Sequence, residues 1–172
     1  MSELLRVENL SVSFDTPRGE IQAVRGVSLA LSRGEVLAVV GESGCGKSVL
    51  CKAVMKLLPP TARIRAGRIF LNGTDITDYR EREMRRLRGR AFSMVFQDPM
   101  TALNPTIPVG RQIAEAVRAH NRRLPETAVR QKVLALMELV GIERGAERYN
   151  LCPHSFSGGM RQRAVMAAAL AA

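Results

Sequence analysis

Gly41-Glu42-Ser43-Gly44-Cys45-Gly46-Lys47-Ser48 is the stretch on which the fold turns. It fits G-x-x-x-x-G-K-[ST], a pattern in which glycines let the main chain wrap closely around phosphates. The flanks give the match its meaning. Upstream, residues 35–40 (EVLAVV) form a short apolar run rich in β-branched side chains, the pattern of a buried strand. Downstream, residues 49–58 continue as an apolar, helix-compatible segment and stop at Pro59-Pro60. Strand, glycine loop and helix follow one another in the order that phosphate binding requires. The loop N–H groups can converge on an anion, and the helix N-terminus adds its positive dipole end. Lys47 brings a mobile ammonium to the terminal phosphates, and Ser48 offers a hydroxyl for Mg²⁺. All eight residues are candidate nucleotide contacts.

Composition sets the bounds. A chain of 172 residues suits one domain with a real core. Hydrophobic content of 46% and charged content of 24% describe an ordinary soluble globular protein. No stretch reaches the roughly 18 apolar residues of a membrane span. The opening MSELLRVENL lacks the basic-then-apolar order of a secretory signal, so the expected compartment is the cytoplasm. Cys45, Cys51 and Cys152 have neither C-x-x-C nor metal-ligand spacing and read as reduced thiols. The net charge of +10 raises the question of nucleic acid. Arginine supplies 22 of the 26 basic residues, mostly scattered. The densest run, residues 80–90, is interleaved with Glu81 and Glu83 and reads as a solvated helix face. With 5 Phe, 2 Tyr and no Trp there is no aromatic platform, and no nucleic acid is expected as a partner. A basic surface also suits anionic lipids.

Along the chain, residues 4–7 and 10–14 read as strands, residues 15–20 as a turn, and residues 21–24 and 27–31 as strands again. Ser32-Arg33-Gly34 turns into the 35–40 strand. Residues 67–71 (GRIFL) are a further strand ending in Asn72-Gly73, a strong turn signal. Residues 79–87 read as a charged helix and residues 91–96 as a strand. Pro99, Asn104, Pro105 and Pro108 mark a loop. Residues 109–119 and 126–140 read as amphipathic helices, the second opening after Pro125 and ended by Gly141. Residues 144–154 are a loop or short helix, and Ser157 is an N-cap candidate for a helix from about Gly159 to the end. The fold class is α/β: a β-rich nucleotide core over residues 1–98, a helical insertion over 99–156, and a final helix over 157–172.

Three signals accompany the loop in fixed order. Phe14, some thirty residues before Lys47, can stack on a purine. Gln97 ends the 91–96 segment and offers an amide oxygen to Mg²⁺ or to a water near a γ-phosphate. Ser157, Gly158 and Gly159 open a helix, an anion site by the same backbone logic as the first. Taken singly, each is commonplace: a core aromatic, a loop start, a capped helix.

Together these residues resemble the ATP-binding subunit of an ABC transporter, over essentially the whole chain. The resemblance assigns adenine stacking to Phe14, the P-loop to Gly41 through Ser48, the Q-loop to Gln97 and the signature motif to Ser157, Gly158 and Gly159. The run Phe96-Gln97-Asp98-Pro99-Met100-Thr101-Ala102-Leu103-Asn104-Pro105 is similar to the branch importing dipeptides, oligopeptides and nickel. The stretch from Phe14 to Glu20 is similar to the same branch. Met160 departs from the usual signature glutamine, so that amide contact does not carry over.

The resemblance implies ATP and Mg²⁺ as cofactors, with Ser48 and Gln97 toward the metal and Lys47 and Gln97 contributing to catalysis. It implies a head-to-tail dimer with a second ATPase subunit, itself or a paralogue, in which Ser157 to Gly159 of one chain face the γ-phosphate held by the other. Two polytopic permease subunits and an extracytoplasmic solute-binding protein complete the system. The location implied is peripheral, on the cytoplasmic face of the inner membrane. Family members continue into a strand ending Asp-Glu and a switch histidine. Neither follows Ser157 here, and His120 and His154 do not lie where the switch should be. The expectation is an N-terminal piece whose sheet is incomplete because it stops before the Walker B strand, able to bind nucleotide weakly but unable to hydrolyse it alone. The other reading is a non-transport ABC-type nucleotide-binding module, associated with nucleic acid or an inactive regulator.

Overall fold

The computed structural model describes residues 2–96, 102–121 and 123–171. They fall into two compact units, Met1–Arg85 and Arg86–Ala172.

The first unit is built on two long strands, β1 (Glu3–Thr16) and β2 (Gly19–Ser32), with β3 (Ala62–Leu71) and β4 (Thr74–Asp75). They form a four-stranded antiparallel sheet in the order β2-β1-β3-β4. Sequence reading splits each long strand in two, whereas the structure keeps each continuous through an irregularity. Asn9 and Gly26 take positive φ of 47° and 59° there, and the register shifts. Serine hydroxyls take over the N–H groups that the ladder loses: Asn9 N–H donates to Ser28 Oγ at 2.8 Å and Gly26 N–H to Ser11 Oγ at 2.9 Å. β3 crosses this bulge at Gly67, where a Cβ would lie 2.5 Å from the Glu8 carbonyl oxygen, so only glycine fits. Asn72 and Gly73, both at positive φ, close β3 onto β4 as a type I′ turn.

Helix α1 (Lys47–Val54) packs on β1 and β2 and buries Leu50 and Ala53; on the strands Val7, Leu10, Val12 and Val24 are buried. It stops well before Pro59. Lys56 takes φ 51° and the chain closes in a Schellman arrangement, Leu57 N–H to Lys52 O at 2.8 Å and Lys56 N–H to Ala53 O at 3.0 Å. A short helix, α2 (Glu81–Leu87), follows and buries Met84.

The second unit is helical: α3 (Val109–His120), α4 (Glu126–Leu139), the single turn α5 (Gly145–Arg148), a 3₁₀ turn at Pro153–Ser155, and α6 (Gly158–Ala169). Val109, Ile113 and Val117 stand four apart on α3 and meet Val129, Val133 and Met137 of α4 and Ala164 and Ala167 of α6 in one apolar core. Gly141 ends α4 as the sequence indicates, with Ile142 N–H on Met137 O at 2.8 Å.

Two expected strands are corrected. Residues 35–40 and 91–96 form no strand: among the described residues they have no ladder partners, apart from one isolated bridge between Arg88 and Phe92. An apolar strand is stable only when neighbours take its N–H and C=O groups and cover its faces. Here Val36 is 94% and Val40 90% exposed, and Val95 and Phe96 are also open. The open sheet of the expected fold is observed; the parallel core strands are not.

Candidate nucleotide-binding site

The phosphate loop lies between residues 35–40 and α1. Gly44 and Gly46 take φ of 83° and 96°, left-handed values separated by one residue. This succession aims backbone N–H groups toward one concavity. Gly46 is the N-cap of α1 and is pressed against β2: a Cβ there would sit 2.3 Å from the Ala23 carbonyl oxygen. The loop is therefore docked on the hairpin at a point where no side chain can stand. Lys47 folds back across the loop. Its Nζ donates to Gly41 O at 2.7 Å and Glu42 O at 2.6 Å, and lies 3.5 Å from Cys45 Sγ. These bonds tie the first residue of α1 to the loop's beginning and hold the ammonium at the mouth of the loop.

Gly44 through Lys47 line a cleft of about 800 Å³ together with Phe14. The structure thus brings the aromatic and the loop, far apart in sequence, to one cavity. Phe14 is opposite Ile21 across the β1–β2 register, and Ile21, Val24 and Arg25 form the wall between it and the loop. Sequence reading treats residues 21–24 only as strand. The signal was the hairpin itself, since a two-residue turn at Pro17-Arg18 forces Ile21 beside Phe14. Ser48 is exposed on the first turn of α1. A Mg²⁺ that keeps most of its waters and takes phosphate oxygens asks the protein for little more than such a hydroxyl. Gln97 lies outside the described residues.

The displaced titrations of the first unit sit in a different cleft, between β3 and the β4–α2 connection. Burial lowers the Lys56 ammonium's pKa from its ordinary value, opposed by Asp78, Glu83 and Asp75. Its Nζ donates to Tyr79 O at 2.8 Å. Asp75 is held below the usual carboxylate range by hydrogen bonds from the Thr77 side chain and N–H.

In the second unit Ser157 caps α6, its Oγ accepting the Met160 N–H at 3.3 Å. Phe156 beside it is buried and anchors the cap, and Arg161 Nε donates to the Phe156 carbonyl at 3.0 Å. Gly158 and Gly159 are exposed, in helical backbone, and a Cβ on either would touch nothing within 4 Å. Among the described residues, nothing calls for their lack of side chains. Met160 turns inward against the helical core, 3.8 Å from Arg148 Nη1.

A left-handed glycine loop docked on a hairpin, a lysine across it and an aromatic in the same cleft define a nucleotide-binding P-loop protein. The ABC transporter family matches residues 24–172, and the chain belongs to that family. It is 52% identical over 171 residues to the dipeptide transport ATP-binding protein DppD of Bacillus subtilis, covering 99% of this chain and 51% of that protein. It is 49% identical to the oligopeptide transport ATP-binding protein OppD of the same organism, covering all of this chain and 48% of that one. The chain thus spans about half the length of these curated relatives. Among solved structures, the dimeric structure of MJ0796, a bacterial ABC transporter cassette, superposes with a TM-score of 0.85 at 22% identity, over 98% of this chain and 69% of that one. CbiO1 of Clostridium perfringens, part of the ABC transporter complex cbiONQ, gives 0.77 at 29% identity, over 99% and 62%. Both bear out the ABC ATPase fold.

Proposed function

We propose that this chain is the nucleotide-binding part of an ATPase subunit that drives peptide import. The observation that carries the reading is the single cleft shared by Phe14 and the Lys47 loop. A purine stacked on Phe14 places its phosphates at Gly44 through Ser48, where N–H groups and the Lys47 ammonium take up their charge. Gly41, Glu42, Ser43 and Cys45 complete the loop. Mg²⁺, which Ser48 and Gln97 would hold, would neutralise charge on the β- and γ-phosphates when bound. Every other contribution comes from the chain: it grips, orients and, through the apolar cleft wall, excludes water.

Ser157, Gly158 and Gly159 supply the second half of the arrangement. Glycines that no described residue of their own unit demands suit close approach by something outside it, here the γ-phosphate held by a second ATPase subunit in a head-to-tail pair. Two permease subunits would be moved by closure and reopening of that pair, with residues 98–120 toward them and the protein peripheral at the cytoplasmic face. No helix among the described residues is long and apolar enough to cross a membrane, which fits a peripheral role. The organisation proposed is a nucleotide core over residues 1–98, a helical subdomain over 99–156 and the signature helix from 157. The resemblance to peptide-transport subunits supports a peptide as the imported solute.

The test is Mg·ATP binding by the complete polypeptide, wild type against Lys47→Ala, with co-purification of two polytopic membrane subunits. Undiminished binding in the variant overturns the site, and purification free of membrane subunits overturns the transport assignment.

A further inference from the structure

We propose that the arginine face of α2, formed by Arg82, Arg85 and Arg86, docks on the phosphate headgroups of anionic membrane lipids. In sequence these arginines are interleaved with Glu81 and Glu83, which suggests local charge balance. The structure turns one of the two carboxylates away from the arginines. Glu83 turns back to the helix start, where its Oε2 accepts the Arg80 N–H at 2.8 Å, the reach of a capping box. Met84 is fully buried and fixes which side of α2 faces the protein. At about 100° per residue, Arg82 and Arg86 fall opposite Met84 and Arg85 stands on the flank beside them. All three are exposed, and among the described residues none has an ion-pair or hydrogen-bond partner. Glu81 borders the face one turn before Arg85.

The chemistry selects the occupant. Guanidinium forks match phosphate oxygens in pairs, which lysine ammoniums do not. The helix is roughly 10 Å long, the scale of a few headgroups. It carries no aromatic residue on which a base could stack, which disfavours single-stranded nucleic acid. The choice of a lipid over other anions rests on the transport reading, which puts the chain beside a membrane.

The experiment uses the full-length protein and vesicles of phosphatidylcholine alone or mixed with phosphatidylglycerol, with Mg·ATP binding measured on the same samples. Wild type is expected to bind the mixed vesicles and to release them as salt rises. Replacing Arg82, Arg85 and Arg86 together by Gln is expected to weaken that binding on the order of 100-fold, from about one kcal/mol per basic residue near an anionic surface. ATP binding should not change. Replacement of the three by Lys should retain part of the affinity. A control removing the same charge elsewhere (Arg18→Gln, Arg111→Gln, Lys132→Gln) should retain nearly all of it. Equal loss in the control overturns the inference, because net charge alone then accounts for binding. So does vesicle binding unaffected by the α2 substitutions, or their loss of binding to an RNA oligonucleotide with vesicle binding intact. Failure of wild type to bind ATP counts against the transport reading, whatever the vesicles show.

Discussion

Gly46 opens α1 at φ 96°, where a Cβ would run into the Ala23 carbonyl oxygen at 2.3 Å. Gly158 and Gly159 open α6 in ordinary helical backbone, where a Cβ on either meets nothing within 4 Å. Both helix starts are glycine-rich, and both can present N–H groups to an anion. Their glycines exist for different reasons. At α1 the absence of a side chain lets the loop dock on its own sheet, and Lys47 crosses it to add a positive charge. At α6 the serine caps one N–H of the helix start, and the glycine surface meets no neighbour among the described residues. The first site is built by the chain for itself; the second is the one that the proposed head-to-tail pairing would complete.

The largest effect that would break this contrast is on nucleotide affinity. Lys47→Ala removes the only charged group of the loop that favours phosphate. A hydrogen bond to a charged group is worth about 1.5–3 kcal/mol, so Mg·ATP binding should fall roughly 10- to 150-fold by calorimetry. An unchanged affinity would leave the two helix starts equivalent. Gly46→Ala comes next. Left-handed backbone on a non-glycine residue costs about 1–3 kcal/mol, and the Ala23 contact adds to it. Thermal or urea unfolding should register that loss with nucleotide absent, and ATP binding should weaken in parallel. A stable variant would mean the loop does not depend on its dock.

How much of this was visible in the sequence divides along the same line. Interactions local in the chain were legible: the loop with its flanking helix, the Asn72-Gly73 turn, α3 and α4 to within a residue, and Ser157 as a cap. Each is set by residues within a turn or two of one another. What depended on distant neighbours was not. The apolar character of residues 35–40 signals burial, but pairing is decided by the strands alongside, and none flanks them among the described residues. Asn9 and Gly26 resemble breaks, yet serine hydroxyls across the ladder carry both strands through. The cleft wall at Ile21 to Arg25 follows from cross-strand register, which no periodicity reveals. At α1 the prolines suggest a stop at residue 58; the Schellman closure at Lys56 comes first.

Ser157→Ala sharpens the comparison at a smaller scale. It removes the bond from Met160 N–H and should cost about 1 kcal/mol of stability. That loss should appear as a modest drop in melting temperature with Mg·ATP affinity at the P-loop unaltered. The smallest effect on stability is the most discriminating. Gly158→Ala and Gly159→Ala replace exposed glycines in a helix with the best helix former, at positions with room for a methyl group. Stability should hold or rise by up to about 1 kcal/mol. If these glycines serve only the fold of α6, the variants are silent in every assay. If they clear space for a phosphate held by a second subunit, the full-length variants keep or gain stability, keep P-loop binding and lose ATP turnover. Retained turnover in stable Gly158→Ala and Gly159→Ala proteins would show that α6 has no such visitor.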